Sequence, residues 1–184
     1  MGKTPSSMVA LGTRAPDFAL RDVVTGKTVS LAEAAGSKGT LVMFICRHCP
    51  FVKHVQGELA NIGRDYAKSG VGIVAISAND ESTHPEDSPA NLAAMSKELG
   101  FAFPYLFDEL QDVAKAYDAQ CTPDFFLYDA RGVLVYRGQL DDSRPGNGLP
   151  VTGKDLRAAL DALVAGRPVS TEQRPSIGCN IKWR

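Results

Sequence analysis

Apolar positions along this chain follow two different rhythms. Leu41-Val-Met-Phe-Ile45 and Val71-Gly-Ile-Val-Ala-Ile76 are nearly unbroken apolar runs rich in Val, Ile and Phe. Runs of that length and make-up suit strands buried on both faces of a parallel sheet, the first predicted over Thr40–Ile45. Between them Val52, Val55, Leu59, Ile62 and Tyr66 recur at three- and four-residue steps. That spacing predicts one apolar stripe on a long helix, with Gly70 as its stop. Ser88-Pro89 supplies an N-cap followed by a first-turn proline. Leu92, Met95 and Leu99 would form the buried face of the helix that follows, and Gly100 would end it.

Shorter signals fill in the rest. Phe18 to Val24 and Lys27 to Ser30 alternate around Thr25-Gly26, which predicts a hairpin. Leu31 to Ala35 fits one helical turn. Tyr105 to Phe107 fits a short strand, and Val113, Ala114 and Tyr117 fit one face of a short helix. Phe125 to Tyr128 and Val133 to Arg137 flank Asp129-Ala-Arg-Gly132, a second hairpin. Thr152-x-x-Asp155 reads as a capping box opening a helix with Leu156, Leu160, Leu163 and Val164 inward. Gly166 and Pro168 would close it. Residues 1–15 read as an N-terminal arm, 78–88 as a polar loop and 167–184 as a C-terminal tail. The tail holds Pro175, Ile177, Ile181 and Trp183, apolar content that predicts a docked segment. Strand–helix alternation followed by a hairpin and a helix predicts an α/β three-layer sandwich with a mixed central sheet.

Composition adds bounds. The length of 184 residues, with 20 basic and 21 acidic side chains, predicts one soluble domain of balanced charge. That balance argues against nucleic-acid and membrane-surface partners. Met1-Gly-Lys-Thr-Pro-Ser-Ser lacks the basic start and apolar core of a leader. No run nears the ~18 apolar residues of a membrane span. The expected location is therefore the cytoplasm. There, four cysteines in a chain this size point to thiol chemistry or a metal rather than to a purely structural framework.

The sharpest chemistry lies at Cys46-Arg-His-Cys49-Pro50. Pro50 favours the first turn of a helix, so the C-x-x-C pair falls where a buried strand becomes a helix. Unpaired N–H groups and the helix dipole favour an anion there. A thiol with an ordinary pKa near ~8.5 ionises more readily in such a place. The motif reads as a redox dithiol that needs no cofactor. Its partners would be a protein or small-molecule disulfide and a thiol electron donor.

This arrangement, with Thr122-Pro123 opening a later strand, resembles the thioredoxin fold. Gly12-Thr-Arg-Ala-Pro-Asp-Phe18 is similar to the opening of the redoxin, or AhpC/TSA-like, branch, which holds peroxiredoxins and thiol reductases. Cys46-Arg-His-Cys-Pro-Phe-Val-Lys-His54 and Pro175-Ser-Ile-Gly-Cys-Asn-Ile-Lys-Trp183 resemble a bacterial thioredoxin-family group. The resemblance runs from about Gly12 to the C-terminus. It implies a thioredoxin-like sandwich with an N-terminal hairpin extension, and a thiol–disulfide oxidoreductase. It further implies that Cys46 is the exposed attacking thiol and that Cys49 resolves the mixed disulfide. Thr122-Pro123 would carry a cis proline, a minority conformer at roughly 5–6% of X-Pro bonds, beside which a polypeptide strand could pair.

Arg47 and His48 stand between the cysteines and would shape the site with Pro50, Thr122 and Pro123. Cationic neighbours stabilise the reduced form, so the expected potential is less negative than thioredoxin's ~−270 mV. The C-x-His-C pattern also resembles strongly oxidising periplasmic thiol oxidases. Cys121 and Cys179 are either a secondary redox pair or relay, or a small core residue and an incidental thiol. His54 and His84 read as bland, and Arg144, in the loop Asp141–Gly148, as part of a structured turn. A carboxylate assisting the pair is expected, from Asp17, Glu33, Asp80 or another residue.

Rival readings are weaker. The peroxiredoxin pattern P-x-x-x-T-x-x-C places Gly39 and Met43 before Cys46, and Val42 and Cys46 before Cys49, so a thiol peroxidase or antioxidant role lacks its motif. Zinc would need two short cysteine pairs, whereas Cys121 and Cys179 lie 58 positions apart. A copper carrier would need a late histidine, and the last is His84. No metal is therefore expected. No phosphate loop, nucleotide fingerprint or Ser-His-Asp set occurs.

Overall fold

A computed structural model describes residues 3–184. Ten strands and five helices run in the order β1 (Lys3–Pro5), β2 (Ala19–Asp22), β3 (Thr28–Ser30), α1 (Leu31–Ala34), β4 (Gly39–Phe44), α2 (Pro50–Asp65) and β5 (Val71–Ser77). They continue with a 3-10 turn at Pro85–Asp87, α3 (Pro89–Leu99), β6 (Tyr105–Phe107), α4 (Asp112–Ala116) and β7 (Cys121–Thr122). The chain ends with β8 (Asp124–Asp129), β9 (Leu134–Gly138), α5 (Lys154–Val164) and β10 (Ile177–Asn180).

Seven strands form one mixed sheet in the order β3-β2-β6-β5-β4-β8-β9. β4 pairs parallel with β5, and β5 parallel with β6, while the two hairpins add antiparallel edges. The unbroken apolar run of β4 is explained by its position, because every one of its six residues is buried. Leu41 and Met43 face one core with Val52, Val55, Leu59 and Ile62 of α2 and Leu156 and Leu160 of α5. Val42 and Phe44 face the other core with Val113, Ala114 and Tyr117 from the α4 region. Two apolar faces covered by helices give the three layers that such a strand demands.

Local signals account for most boundaries. Ser88 caps α3 through its hydroxyl, Pro89 follows it, and Gly100 ends the helix in the left-handed region at φ 66°. Two boundaries depart from expectation. Thr152 caps nothing by a box: the N-cap of α5 is Gly153 at φ 69°. The buried carboxylate of Asp141 accepts from the Thr152 and Gly153 amides instead, both at 2.7 Å. The capping box lies at Ser30-x-x-Glu33, where each side chain accepts the other's backbone N–H at 3.1 Å. α2 also stops at Asp65, before Gly70, with Tyr66 as its C-cap.

The termini carry more structure than an arm and a tail. β1 pairs antiparallel with β10, and β10 with β7, forming a second, three-stranded sheet. These strands are not evident in the sequence because each is only two to four residues long. Met1 and Gly2 of the expected arm lie outside the described residues.

Replacing Leu59, fully buried on α2, with alanine should cost about 2–5 kcal/mol. The urea midpoint checks this, and should fall with little change in slope.

Candidate active site

The Cys46–Cys49 loop joins the buried end of β4 to α2, with Cys49 as N-cap and Pro50 at the first helical position. The Thr122–Pro123 peptide opposite is cis. Cys46 Sγ and the Thr122 hydroxyl are 3.4 Å apart, and Cys49 Sγ lies 3.4 Å from the Thr122 carbonyl. Cys179 of β10 stands opposite Thr122 in register, and Cys46, Cys49 and Cys179 share one buried cluster. The three thiols are close enough to shift one another's ionisation.

The expectation of an exposed Cys46 is overturned. Both Cys46 and Cys49 have 0% exposure, and Cys179 has 1%. β10 packs into the same region, with Cys179 and Asn180 in register with Thr122 and Cys121 and Cys179 in the cluster that holds both cysteines. The backbone edge that an incoming polypeptide strand would use is already paired within the chain. Its fit is close: a Cβ on Gly178 would lie 1.9 Å from the Thr122 carbonyl oxygen, so only glycine allows this approach. A cavity of about 510 Å³ lies between β9, α5 and residues 169–174, and none of the four cysteines lines it.

The tail is held along its length. Ser176 donates through Oγ to the Pro123 carbonyl at 2.6 Å, and its N–H donates to Ser6 Oγ at 3.0 Å. The Ile181 amide donates to the Gln120 carbonyl at 3.2 Å, and the Lys182 amide to Asn79 Oδ1 at 2.8 Å. Gln111 donates to the Lys182 carbonyl at 2.9 Å and accepts from the Arg184 amide at 3.0 Å. Ile181 is buried in the core.

Ionisation also departs from expectation. Burial, the hydrogen bond to Cys49 and the negative charge of Asp87 push the Cys46 thiol well above its ordinary range. The surroundings favour charge on Cys49 instead. A hydrogen bond from Cys46 outweighs burial there, and donors from Cys179, Thr122 and the Val52 backbone N–H add to it, lowering the pKa to about 5. The Val52 N–H is one of the free donors in the first turn of α2, the anion-favouring end of a helix. When Cys49 is protonated, its S–H instead faces the Thr122 carbonyl. Burial and the adjacent Cys49 push Cys179 up to about 12.

The assisting carboxylate is Asp87, from the loop read only as polar. Its side chain is fully buried. One oxygen accepts the Arg47 and His48 amides at 2.7 and 3.1 Å. The other accepts Asn79 Nδ2 at 3.0 Å and pairs with His48 Nδ1. Burial opposes the charge on Asp87, but His48, Asn79 and the Arg47 amide outweigh it and hold the carboxyl below its usual range. In return, the hydrogen bond to Asp87 raises His48 above its ordinary value despite partial burial. Asn79 connects this pair to the tail, since its Oδ1 accepts the Lys182 amide. Of the carboxylates considered from sequence, Glu33 belongs to the capping box, Asp17 accepts the Phe18 amide and Asp80 accepts from Ser82. A short Pro85-Glu-Asp87 turn ahead of a capped helix was the available signal.

Other assignments change less. Arg47 donates to the Asn91 carbonyl at 2.6 Å and reaches Glu98 at 3.4 Å, on the rim of the site. His84 is not bland, because its ring lies 4.9 Å from that of His48. His54 pins the 141–148 loop through Ser143 Oγ at 2.7 Å. Arg144 is structural, donating to the Asp141 and Ser143 carbonyls and to Gln139. Cys121 stands apart from the other thiols. Its Sγ donates to the Pro123 carbonyl at 3.6 Å, and burial raises its pKa far out of the working range. Asp124, next to the cis peptide, is pushed up to about 7 by burial.

One metal-capable group occurs among the described residues. Cys46 Sγ, a His48 nitrogen and an Asp87 oxygen lie within 4.8 Å of one another. His48 Nδ1 and both Asp87 oxygens already serve hydrogen bonds within the protein.

Comparison with known proteins agrees with this architecture. Thiol-disulfide oxidoreductase ResA of Geobacillus thermodenitrificans is 30% identical over 132 residues, covering 70% of this chain and 69% of that protein. A conserved Geobacillus kaustophilus protein of known structure is 57% identical, with a TM-score of 0.98 over 100% of this chain and 97% of its own. The thioredoxin domain of a thiol-disulfide oxidoreductase from Bacteroides vulgatus shares the fold. It is 22% identical, with a TM-score of 0.59 over 70% of this chain and 88% of its own. Residues 11–137 match the AhpC/TSA family. The chain therefore belongs to the AhpC/TSA family, as an oxidoreductase with a thioredoxin-like fold.

Proposed function

We propose that the protein is a thiol–disulfide oxidoreductase that cycles Cys46 and Cys49 between dithiol and disulfide. The observation that carries this reading is the C-x-x-C pair at the start of α2 facing the cis Thr122–Pro123 peptide, with each sulfur 3.4 Å from Thr122. At neutral pH one member of such a pair is ionised and the other holds a proton. A thiolate of the pair attacks one sulfur of a substrate disulfide. The substrate S–S bond breaks, and one half leaves as a thiolate that takes up a proton. The second cysteine displaces the other half and closes the Cys46–Cys49 bond. Two electrons pass to the substrate, and a thiol donor restores the dithiol.

His48 and Asp87 act on the pair through charge. A protonated His48, held by Asp87, places a positive charge beside the sulfurs, while the Asp87 carboxylate disfavours charge on Cys46 itself. The negative charge is thereby directed to Cys49. A stabilised thiolate makes the disulfide easier to reduce, so the potential should be less negative than thioredoxin's ~−270 mV. The closed site favours a substrate reached when β10 shifts, or a small disulfide that needs no strand pairing.

Cys46→Ser and Cys49→Ser should each lower the reduction of hydroxyethyl disulfide by dithiothreitol roughly tenfold or more. Wild-type rates in both variants would contradict the reading. Asp87→Asn should lower the His48 pKa, followed by imidazole NMR, and should cost about 1–3 kcal/mol. His48 has its pKa raised in the folded state, so its contribution is fully present below the ordinary histidine value. It fades as pH rises through the folded value. The penalty of Asp87→Asn, read from urea midpoints, should therefore be larger at pH 6 than at pH 9.

A further inference from the structure

β10 does more than cover the site. It places a third sulfur against the pair, in the backbone position that a bound substrate strand would take. Cys179 is in register with Thr122, which contacts Cys46 through its hydroxyl and Cys49 through its carbonyl. Cys179 and Cys49 are close enough to shift each other's ionisation. All three thiols belong to one buried core cluster. Gly178 is required for this approach, and Ser176, Ile181 and Lys182 anchor the strand on both sides of it. Cys121, one register position away, points to the Pro123 carbonyl and takes no part.

We propose that Cys179 is a third catalytic thiol, which exchanges with the Cys46–Cys49 disulfide to form a Cys49–Cys179 disulfide. The inference rests on the proposed oxidoreductase cycle, whose substrate disulfide supplies the oxidising equivalents. In the step, the Cys179 sulfur attacks Cys49 Sγ. The Cys49–Cys179 bond forms and the Cys46–Cys49 bond breaks. Cys46 leaves as a thiolate and takes up the proton that Cys179 gives up, so there is no net oxidation. The disulfide moves by one sulfur, and Cys46 returns to the thiol form while the oxidising equivalents are retained.

The electrostatics favour this order. In the dithiol state burial, with the hydrogen bond to Cys49 and its charge added, keeps Cys179 protonated. Oxidation of Cys46 and Cys49 removes that charge, and with it part of what holds the proton on Cys179. The exchange also ties the C-terminal strand covalently to the first residue of the α2 cap.

The test uses the full chain. Reduced wild-type protein and Cys46→Ser are oxidised with diamide, free thiols are blocked with N-ethylmaleimide, and unreduced digests are mapped by mass spectrometry. Wild type should yield both Cys46–Cys49 and Cys49–Cys179 linked peptides. Cys46→Ser should lose two of its three thiols to an intramolecular Cys49–Cys179 link. If wild type yields the Cys46–Cys49 link alone, the third-thiol proposal fails whatever the variant does, and the oxidoreductase reading stands. If wild type forms neither a Cys46–Cys49 nor a Cys49–Cys179 link, that reading fails and the exchange has no starting disulfide. Because wild type decides both outcomes, a folding defect in the variant does not blunt the test.

Discussion

The pairing of β10 with the two-residue edge Cys121–Thr122 is the constraint on which the site depends. A strand edge beside the Thr122–Pro123 peptide exposes backbone groups that seek partners. Here the chain satisfies them itself. That one choice sets Cys179 opposite Thr122, in the same buried cluster as Cys46 and Cys49. It also draws the N-terminal residues into the same sheet, because β1 completes the other side of β10.

Charge follows from the same enclosure. Taking a thiol out of water disfavours its ionised form, so a buried thiolate needs several donors. Cys49 has them from a neighbouring thiol on either side and from the first turn of α2. Cys46 has the Asp87 carboxylate nearby and stays protonated. Asn79 links the two halves of the arrangement, donating to Asp87 and accepting from the tail. A shift of the tail would therefore alter both the access to the sulfurs and the surroundings of His48.

The sequence made the scaffold legible where one local rule dominates. The β4 run is apolar throughout because both of its faces are covered, and the α2 stripe is regular because a single face is buried. Ser88-Pro89 and Gly100 mark α3 because capping needs only neighbours in the chain. The cysteine pair and Thr122-Pro123 were visible for a similar reason, as short motifs at element ends. What stayed hidden depends on contacts remote in the chain. Asp141 replaces the capping box read at Thr152 from 11 residues away. Asp87 lies 39 residues beyond the histidine it holds. Cys179, which shares the buried cluster with Cys46, lies more than 130 positions later, and no local pattern at Cys46 could report it.

Amide hydrogen exchange of the C-terminal strand tests the closed site most directly. The Ile181 and Lys182 N–H groups, bonded to Gln120 and Asn79, should exchange slowly, with protection approaching that of β4. Exchange of these two amides at the rate of an unstructured peptide, with β4 still protected, would contradict the account.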